Sequence, residues 1–154
     1  MDVGNKHALQ NGAKPKWAEQ GLDWTDLDCN LTSRRLDFFA SYFGPSFWTF
    51  LYREVRFTGF FAAVAGSGLR QEEQLWRLLE RIPHLPPARQ HVAMMHYWPF
   101  MEQPNEPAWD PTDPDQYDNW YFSIDPPHRQ RLWELLQASR VDILFCGHVH
   151  TGRP

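Results

Sequence analysis

Apolar residues in the second half of the chain recur in patterns that predict helix and strand in alternation. A helix is predicted over residues 70–82 and a second over 127–138, because their apolar residues recur at helical spacing. Short apolar runs at 91–96 and 141–146 predict two strands, the second of them buried. Strands that alternate with helices are typical of parallel strands joined by helical crossovers. The pattern therefore predicts an α/β fold.

The first half of the chain has a weaker pattern. A helix is predicted to begin at Thr32 or Ser33 and to end before Gly44, since glycine followed by proline stops a helix. Aromatic and β-branched residues predict strands at 46–52 and 55–64, which a hairpin turn would join.

Two segments lack a periodic pattern. Residues 1–32 are polar and turn-rich and predict a loop. Residues 97–127 are rich in proline, aspartate and aromatic residues, and their prolines argue against a helix. A segment of this length without secondary structure is usually a functional loop or a disordered one. We expect residues 1–154 to form a single domain that contains both segments.

Composition and charge exclude several classes of protein. The net charge of −4 and the isoelectric point near 5.9 give no electrostatic basis for binding nucleic acid or an anionic membrane. No apolar run is long enough to span a membrane, and the first twenty residues lack the pattern of a signal peptide. Two cysteines do not make a disulfide framework. These features favour a cytoplasmic protein.

The predicted strand at 141–146 is followed by Gly147, His148 and, one residue later, His150. Side chains spaced in this way along an extended backbone point the same way and lie roughly 7 Å apart. They could each bind one of two metal ions that lie ~3.5–4 Å apart. Gly147 would let the backbone turn sharply between strand and histidines. The alternative interpretation is a surface turn that happens to hold two histidines.

His96 has an equivalent position at the end of the strand predicted over 91–96. The carboxyl ends of parallel strands meet at one edge of a sheet, which is where α/β proteins bind ligands. We therefore expect His96 to lie beside His148 and His150. His84 and His128 are next to prolines in predicted connections, and we expect both to be exposed.

Two strings of residues in this sequence resemble motifs of a known family. Met95-His96-Tyr97-Trp98-Pro99 and Cys146-Gly147-His148-Val149-His150 are similar to the last two metal-binding motifs of the calcineurin-like metallophosphoesterases. Residues 64–76 resemble the stretch of that family in which a strand precedes a helix with a glutamine and a tryptophan. The resemblance covers roughly residues 55–154.

The resemblance implies both a fold and a chemistry. Family members form a two-sheet α/β sandwich, so this chain would be an incomplete domain with part of that sandwich. They bind two divalent metal ions (Mn, Fe or Zn), and a metal-bound hydroxide attacks the phosphorus of a phosphoester. By the resemblance, His96 and His148 would bind one ion and His150 the other, and Tyr97 and Trp98 would line the substrate pocket.

The family's carboxylate motifs are missing, because neither Asp-x-His nor Gly-Asp-x-x-Asp occurs in the sequence. At most one metal ion is therefore expected in this chain alone. Gly4-Asn5 could be an altered copy of the family's Gly-Asn-His motif, or the chain could begin just after that motif. The aspartates of the long loop are predicted to lie in solvated turns rather than to replace the missing ligands; they are Asp110, Asp113, Asp115 and Asp118.

The sequence leaves three alternative functions open. The first is a metal-dependent hydrolase of a small phosphorylated substrate, of which this chain is the C-terminal portion. The second is a non-catalytic product, either a truncated domain, a remnant that binds a ligand, or one half of a split domain whose partner is the missing N-terminal half. The third is a surface for carbohydrates or aromatic ligands, built from Trp98, Trp109, Tyr117, Trp120 and Tyr121.

Overall fold

Four helices and four strands lie along residues 31–110 and 113–148, the part of the chain that the computed structural model describes. The helices are α1 (Ser33–Phe43), α2 (Arg70–Arg81), α3 (Tyr117–Phe122) and α4 (His128–Ala138). The strands are β1 (Phe47–Tyr52), β2 (Val55–Phe60), β3 (Gln90–Met95) and β4 (Ile143–Cys146). Thr32 caps α1 by accepting a hydrogen bond from the N–H of Arg35.

The strands form one open mixed sheet in the order β1-β2-β3-β4. β1 and β2 pair antiparallel across a turn in which Arg53 and Glu54 have φ values of 46° and 67°, the left-handed pair that suits a two-residue hairpin. β2, β3 and β4 are parallel, and α2 and α4 lie in the two crossovers. The predicted α/β class and the parallel crossovers are confirmed.

One face of the sheet is closed by α2 and α4. Leu75 and Leu79 of α2 and Leu132 of α4 are fully buried in one core with residues of β2 and β3. The residues of β2 and β3 that face this core alternate with residues that do not, as the period of a strand requires. The helical spacing in the sequence therefore corresponds to the core of this covered face.

The covered face also holds a chain of polar groups around His91. Its Nε2 lies 2.9 Å from Oγ1 of Thr58, which lies 3.0 Å from Oγ1 of Thr49 on the edge strand. Its Nδ1 lies 3.0 Å from the carbonyl oxygen of Ser139, just after α4. Burial lowers the pKa of His91, so the neutral imidazole is the form that the core favours.

The opposite face of the sheet is apolar and only partly covered by the described residues, with α1 and α3 bordering one side of it. The register aligns Trp48, Gly59, Met94 and Phe145 in one row across the four strands, and Phe50, Phe57, Val92 and Ile143 in a second. Phe50 remains 52% exposed and Phe145 58% exposed. We call these two rows the open face. The prediction of a buried strand at 141–146 was wrong in this respect, because β4 is a short edge strand that is mostly exposed.

The long segment between β3 and α4 contains a helix, which contradicts the prediction of a loop without helix over 97–127. α3 fits between Pro114 and Pro126, so its six residues avoid the backbone that proline disrupts. Two parts of the segment meet at its neck, the hydrogen bond in which the N–H of Trp98 donates to the carbonyl oxygen of Phe122 at 3.1 Å. Tyr117 and Trp120 are buried in a small cluster of their own.

A buried ion pair anchors this segment to α4. The Glu106 carboxylate accepts hydrogen bonds from the guanidinium of Arg129, which is 1% exposed, and from the N–H groups of Met101 and Glu102. Burial acts to raise the pKa of Glu106, but the N–H groups of Met101, Glu102 and Gln103 and the Trp109 indole outweigh it and hold that pKa below its ordinary value. The segment is therefore organised around one fully paired carboxylate.

Candidate metal centre

His96 and His148 lie side by side at the carboxyl ends of β3 and β4. The pairing of Met95 with Cys146 aligns the two strand ends, and the N–H of Gly147 extends it by donating to the carbonyl oxygen of His96 at 2.9 Å. The distance from Nε2 of His96 to Nδ1 of His148 is 3.0 Å. The structure thus brings together the two histidines that the topology predicts to meet, while their role as metal ligands stays a prediction. His150 lies outside the described residues.

Gly147 allows the His96 ring to approach the backbone. A Cβ atom on residue 147 would lie 3.0 Å from Nδ1 of His96, closer than ordinary van der Waals contact. The sequence predicted a sharp turn at Gly147, but the left-handed conformation lies one residue later. That conformation is adopted by His148, with φ of 68°. The glycine makes room for an imidazole, and the histidine itself makes the turn.

The left-handed backbone of His148 is uncommon for a residue with a Cβ atom. It costs of order 1–3 kcal/mol and persists where the surrounding structure determines it, often at a functional site. Phe145, Cys146 and Gly147 lead to His148 along an edge strand that has one neighbour in the sheet. The strain is therefore located at the residue whose side chain meets His96.

Four aromatic or imidazole rings surround the His148 imidazole. The ring centroids of His96 and Tyr97 lie 4.7 Å and 4.2 Å away, and both residues come from the end of β3. Those of Tyr121 and Phe122 lie 4.8 Å and 5.1 Å away, and both come from the end of α3. The sequence singled out Tyr121 as one of the aromatic residues of the long segment, whereas Phe122 carried no signal because no periodic pattern marks α3.

The 3.0 Å between the two imidazole nitrogens is a hydrogen-bond distance, and two ligands of one cation would need a similar separation. Nitrogen ligands bound at ~2.0–2.1 Å in cis positions of an octahedral ion lie roughly 2.9 Å apart, close to the distance between the two imidazoles. Among residues 31–110 and 113–148, no group of three or more His, Cys, Asp or Glu side chains could hold a metal ion. A complete binuclear site would therefore need further ligands, above all carboxylates.

The aspartates of the long segment do not complete the pair within the described residues. Asp113 instead organises a turn, where it accepts hydrogen bonds from the N–H of Asp115 at 2.9 Å and from the amide of Gln116 at 2.7 Å. Asp118 lines the groove that also contains the two histidines. The turn at Asp113 agrees with the prediction of polar turns.

A groove of about 1310 Å³ runs from the histidine pair along the open face. Its lining at the histidine end includes His96, His148, Asp118, Tyr121 and Phe122, and further along it is apolar. Tyr97 and Trp98, the predicted pocket residues, are not part of this lining. Tyr97 is 2% exposed and lies in the core behind His148, and the assignment of both residues to a substrate pocket stays a prediction.

Cys146 lines the same groove but is not a ready nucleophile or ligand. The sequence suggested a small buried hydrophobe, whereas the residue is exposed at the sheet edge. Burial of its sulfur atom nevertheless raises the pKa of the Cys146 thiol to about 11. The thiol is therefore protonated at neutral pH, and the thiolate is the form that attacks or binds metal.

The other described histidines lie apart from the pair. His84 is exposed, as predicted, and follows α2. His128 is half-buried rather than exposed, because its ring stacks on Trp76 at 6.2 Å and its Nδ1 lies 3.8 Å from the Glu72 carboxylate. Glu72 in turn accepts hydrogen bonds from the N–H groups of Gly66 and Gly68, whose φ values of 79° and 68° explain the glycines before α2.

Comparisons of this chain with family models, with curated proteins and with solved structures found no match. Within the described ranges, no helix is both long enough and apolar enough to cross a membrane.

Proposed function

We propose that this chain provides the histidine side of a binuclear metal centre in a calcineurin-like metallophosphoesterase, a hydrolase of phosphoesters. The observation that carries the proposal is the 3.0 Å separation of the His96 and His148 nitrogens at the ends of adjacent parallel strands. Two motifs that are 52 positions apart in the sequence meet at this edge, in the order that the resemblance implies.

The chain's own residues would bind and orient the metal. His96 and His148 would hold one divalent ion (Mn, Fe or Zn), and His150 would hold a second one. Divalent ions bound there would supply Lewis acidity for cleaving a phosphoester and positive charge for a phosphate that an acidic protein does not otherwise attract. The groove beside the pair would admit a small phosphorylated substrate.

The same proposal includes the type of α/β fold, a sandwich of two sheets. The open face would pack against a second sheet, which would complete an α/β sandwich of the metallophosphoesterase type. The support is physical: two rows of apolar side chains extend across four strands, and half-exposed Phe50 and Phe145 would lose contact with water. The second sheet would come from further polypeptide that also carries the missing carboxylates.

The second candidate is a non-catalytic domain that binds such a partner without hydrolysing anything. It is favoured by the donor set of the described residues, which offers the two imidazoles and no carboxylate cluster. A surface for carbohydrates is disfavoured, because Tyr117 and Trp120 are buried and pack the long segment together rather than face a ligand.

Hydrolysis of an aryl phosphate and of an aryl bis-phosphate in the presence of manganese tests the first candidate. We expect activity in the unmodified chain or after addition of a separately expressed partner half, and its loss in His148→Ala. The matched control is His84→Ala, which removes an exposed histidine far from the pair and should leave the activity unchanged.

Manganese binding distinguishes the two candidates when the chain alone is inactive. Binding that is lost in His148→Ala and kept in His84→Ala supports the metal centre and assigns inactivity to missing ligands. Activity or binding that is the same in both variants would show that the histidine pair is not the site.

A further inference from the structure

We propose that Tyr121 of α3 is a positioning residue that holds the His148 imidazole in its pair with His96. The long segment between β3 and α4 would then serve the pair as an outer wall, formed by Tyr121 and Phe122. The chemistry of the pair rests on the proposed function, whereas the positioning role rests on contacts of the described residues alone.

His148 needs support from outside its own strand. It follows a four-residue edge strand, and its φ of 68° is a backbone conformation that its Cβ atom disfavours. The pairing of β4 with β3 fixes residues up to Cys146 and, through one further hydrogen bond, Gly147. Beyond that point the direction of the imidazole depends on side chains around it.

The rings around His148 close on it from two sides. Tyr97 lies behind it in the core, with 4.2 Å between centroids and an interplanar angle of 31°. Tyr121 approaches it at 4.8 Å with an angle of 40°, and Phe122 adds an edge-on contact at 5.1 Å. Contacts of this kind restrict rotation of the imidazole, and so they fix where its Nδ1 points.

The outer wall is itself well fixed. The ring of Tyr121 stacks on that of Tyr117 at an interplanar angle of 11°, and the neighbouring Trp120 is 2% exposed. The carbonyl oxygen of Phe122 accepts from the N–H of Trp98, directly after Tyr97. The backbone thus holds the two sides of the enclosure together at the neck of the segment.

This arrangement matters because the neighbours of a metal-binding histidine orient its ring. Substitution of such neighbours typically weakens metal binding ~10–100-fold while the ligand itself is unchanged. Tyr121 is a better test than Tyr97, because Tyr97 belongs to the core and its loss would disturb packing throughout the covered face. Tyr121 is half-buried at the rim of the groove.

The experiment compares Tyr121→Ala and Tyr121→Phe with the unmodified chain. Phe100→Ala is the matched control, since Phe100 is a half-buried aromatic residue of the same segment that packs on Trp133 of α4, away from the pair. The first readout is the NOE intensity between the ring protons of His96 and His148 in metal-free protein, because a chemical-shift change alone would follow from losing the ring current of Tyr121. The second is the affinity for Co²⁺ alone, followed by its visible absorption.

We expect Tyr121→Ala to weaken the NOEs between the His96 and His148 rings and to weaken cobalt binding about 10-fold. Tyr121→Phe keeps the ring and should restore both, and Phe100→Ala should change neither. NOEs between the two rings that are unchanged in Tyr121→Ala would overturn the proposal, as would equal effects of Tyr121→Ala and Phe100→Ala or an unchanged cobalt affinity. If the unmodified chain binds no cobalt, the proposed function fails, and the NMR readout still decides whether Tyr121 positions His148.

Discussion

Helices α2 and α4 cover one face of the sheet, whereas the described residues leave most of the opposite face open. On the covered face, Leu79 and Leu132 are fully buried, and buried His91 has a partner on each ring nitrogen. On the open face, Phe50 and Phe145 are more than half exposed, although their rows consist of apolar residues and one glycine.

The covered face therefore stabilises the fold of this chain, whereas the open face is a surface available for contact with another polypeptide. A single exposed apolar residue is normal on a protein surface, but two continuous rows across a whole sheet are not. The covered face is packed against helices of this chain, so substitutions there should lower the free energy of unfolding of the chain alone. Substitutions on the open face should change that free energy little in the chain alone and more in a complex.

Breaking the ion pair that attaches the long segment to the covered side should have the largest effect. Arg129→Met leaves the Glu106 carboxylate buried without its guanidinium, which typically costs ~3–5 kcal/mol in the free energy of unfolding. Arg77→Met is the matched control, because its pair with Glu73 on α2 is exposed and such pairs contribute ~1 kcal/mol or less. Urea denaturation measures both, and similar losses in the two variants would contradict the role of Glu106.

Truncation of one residue on each face tests the contrast directly. Leu79→Ala opens a cavity under α2 and should lower the free energy of unfolding by ~2–5 kcal/mol. Phe145→Ala removes a ring that remains 58% exposed and should cost much less. Thermal or urea unfolding of the two variants gives the comparison. A loss in Phe145→Ala as large as that in Leu79→Ala would mean that the open face is covered in solution.

Acidification should weaken the covered face through His91. Burial lowers the pKa of His91 below 6.5, so the unfolded chain takes up the proton more readily than the folded one. The associated stability is fully present above pH 6.5 and is lost as the pH falls through that value towards the lower folded pKa. His91→Gln should flatten the dependence of unfolding free energy on pH in this range, and an equally steep profile in the variant would exclude His91 as its source.

The elements of the fold could be predicted where the chain buries one face of a helix or strand. α2, α4 and β3 appear at the predicted positions because their apolar residues have the period of the element that buries them. The alternation of these helices and strands predicts parallel strands, whose carboxyl ends lie at a common edge, and this placed His96 beside His148. The predicted burial of β4 was wrong because an apolar run shows that a strand is hydrophobic, not that anything covers it.

The long segment could not be predicted because no period marks it. The segment is held together by Glu106, whose carboxylate accepts hydrogen bonds from nearby backbone N–H groups and from the guanidinium of Arg129, 23 positions away. No local pattern in the sequence reveals such a convergence. α3 was missed for a related reason, because six residues between prolines are too few to show helical spacing. The contact of Phe122 with His148 was missed with it, whereas Tyr121 was named only as one of several aromatic residues of the segment.

At position 148, the backbone and the side chain favour different residues. The left-handed backbone there would be relaxed by glycine, which adopts positive φ without the penalty that a Cβ atom brings. Replacement by glycine would at the same time remove one of the two imidazoles that meet at the sheet edge, together with its contacts to the rings of Tyr97 and Tyr121. The strained backbone of this residue is therefore held in place by the packing of its own side chain.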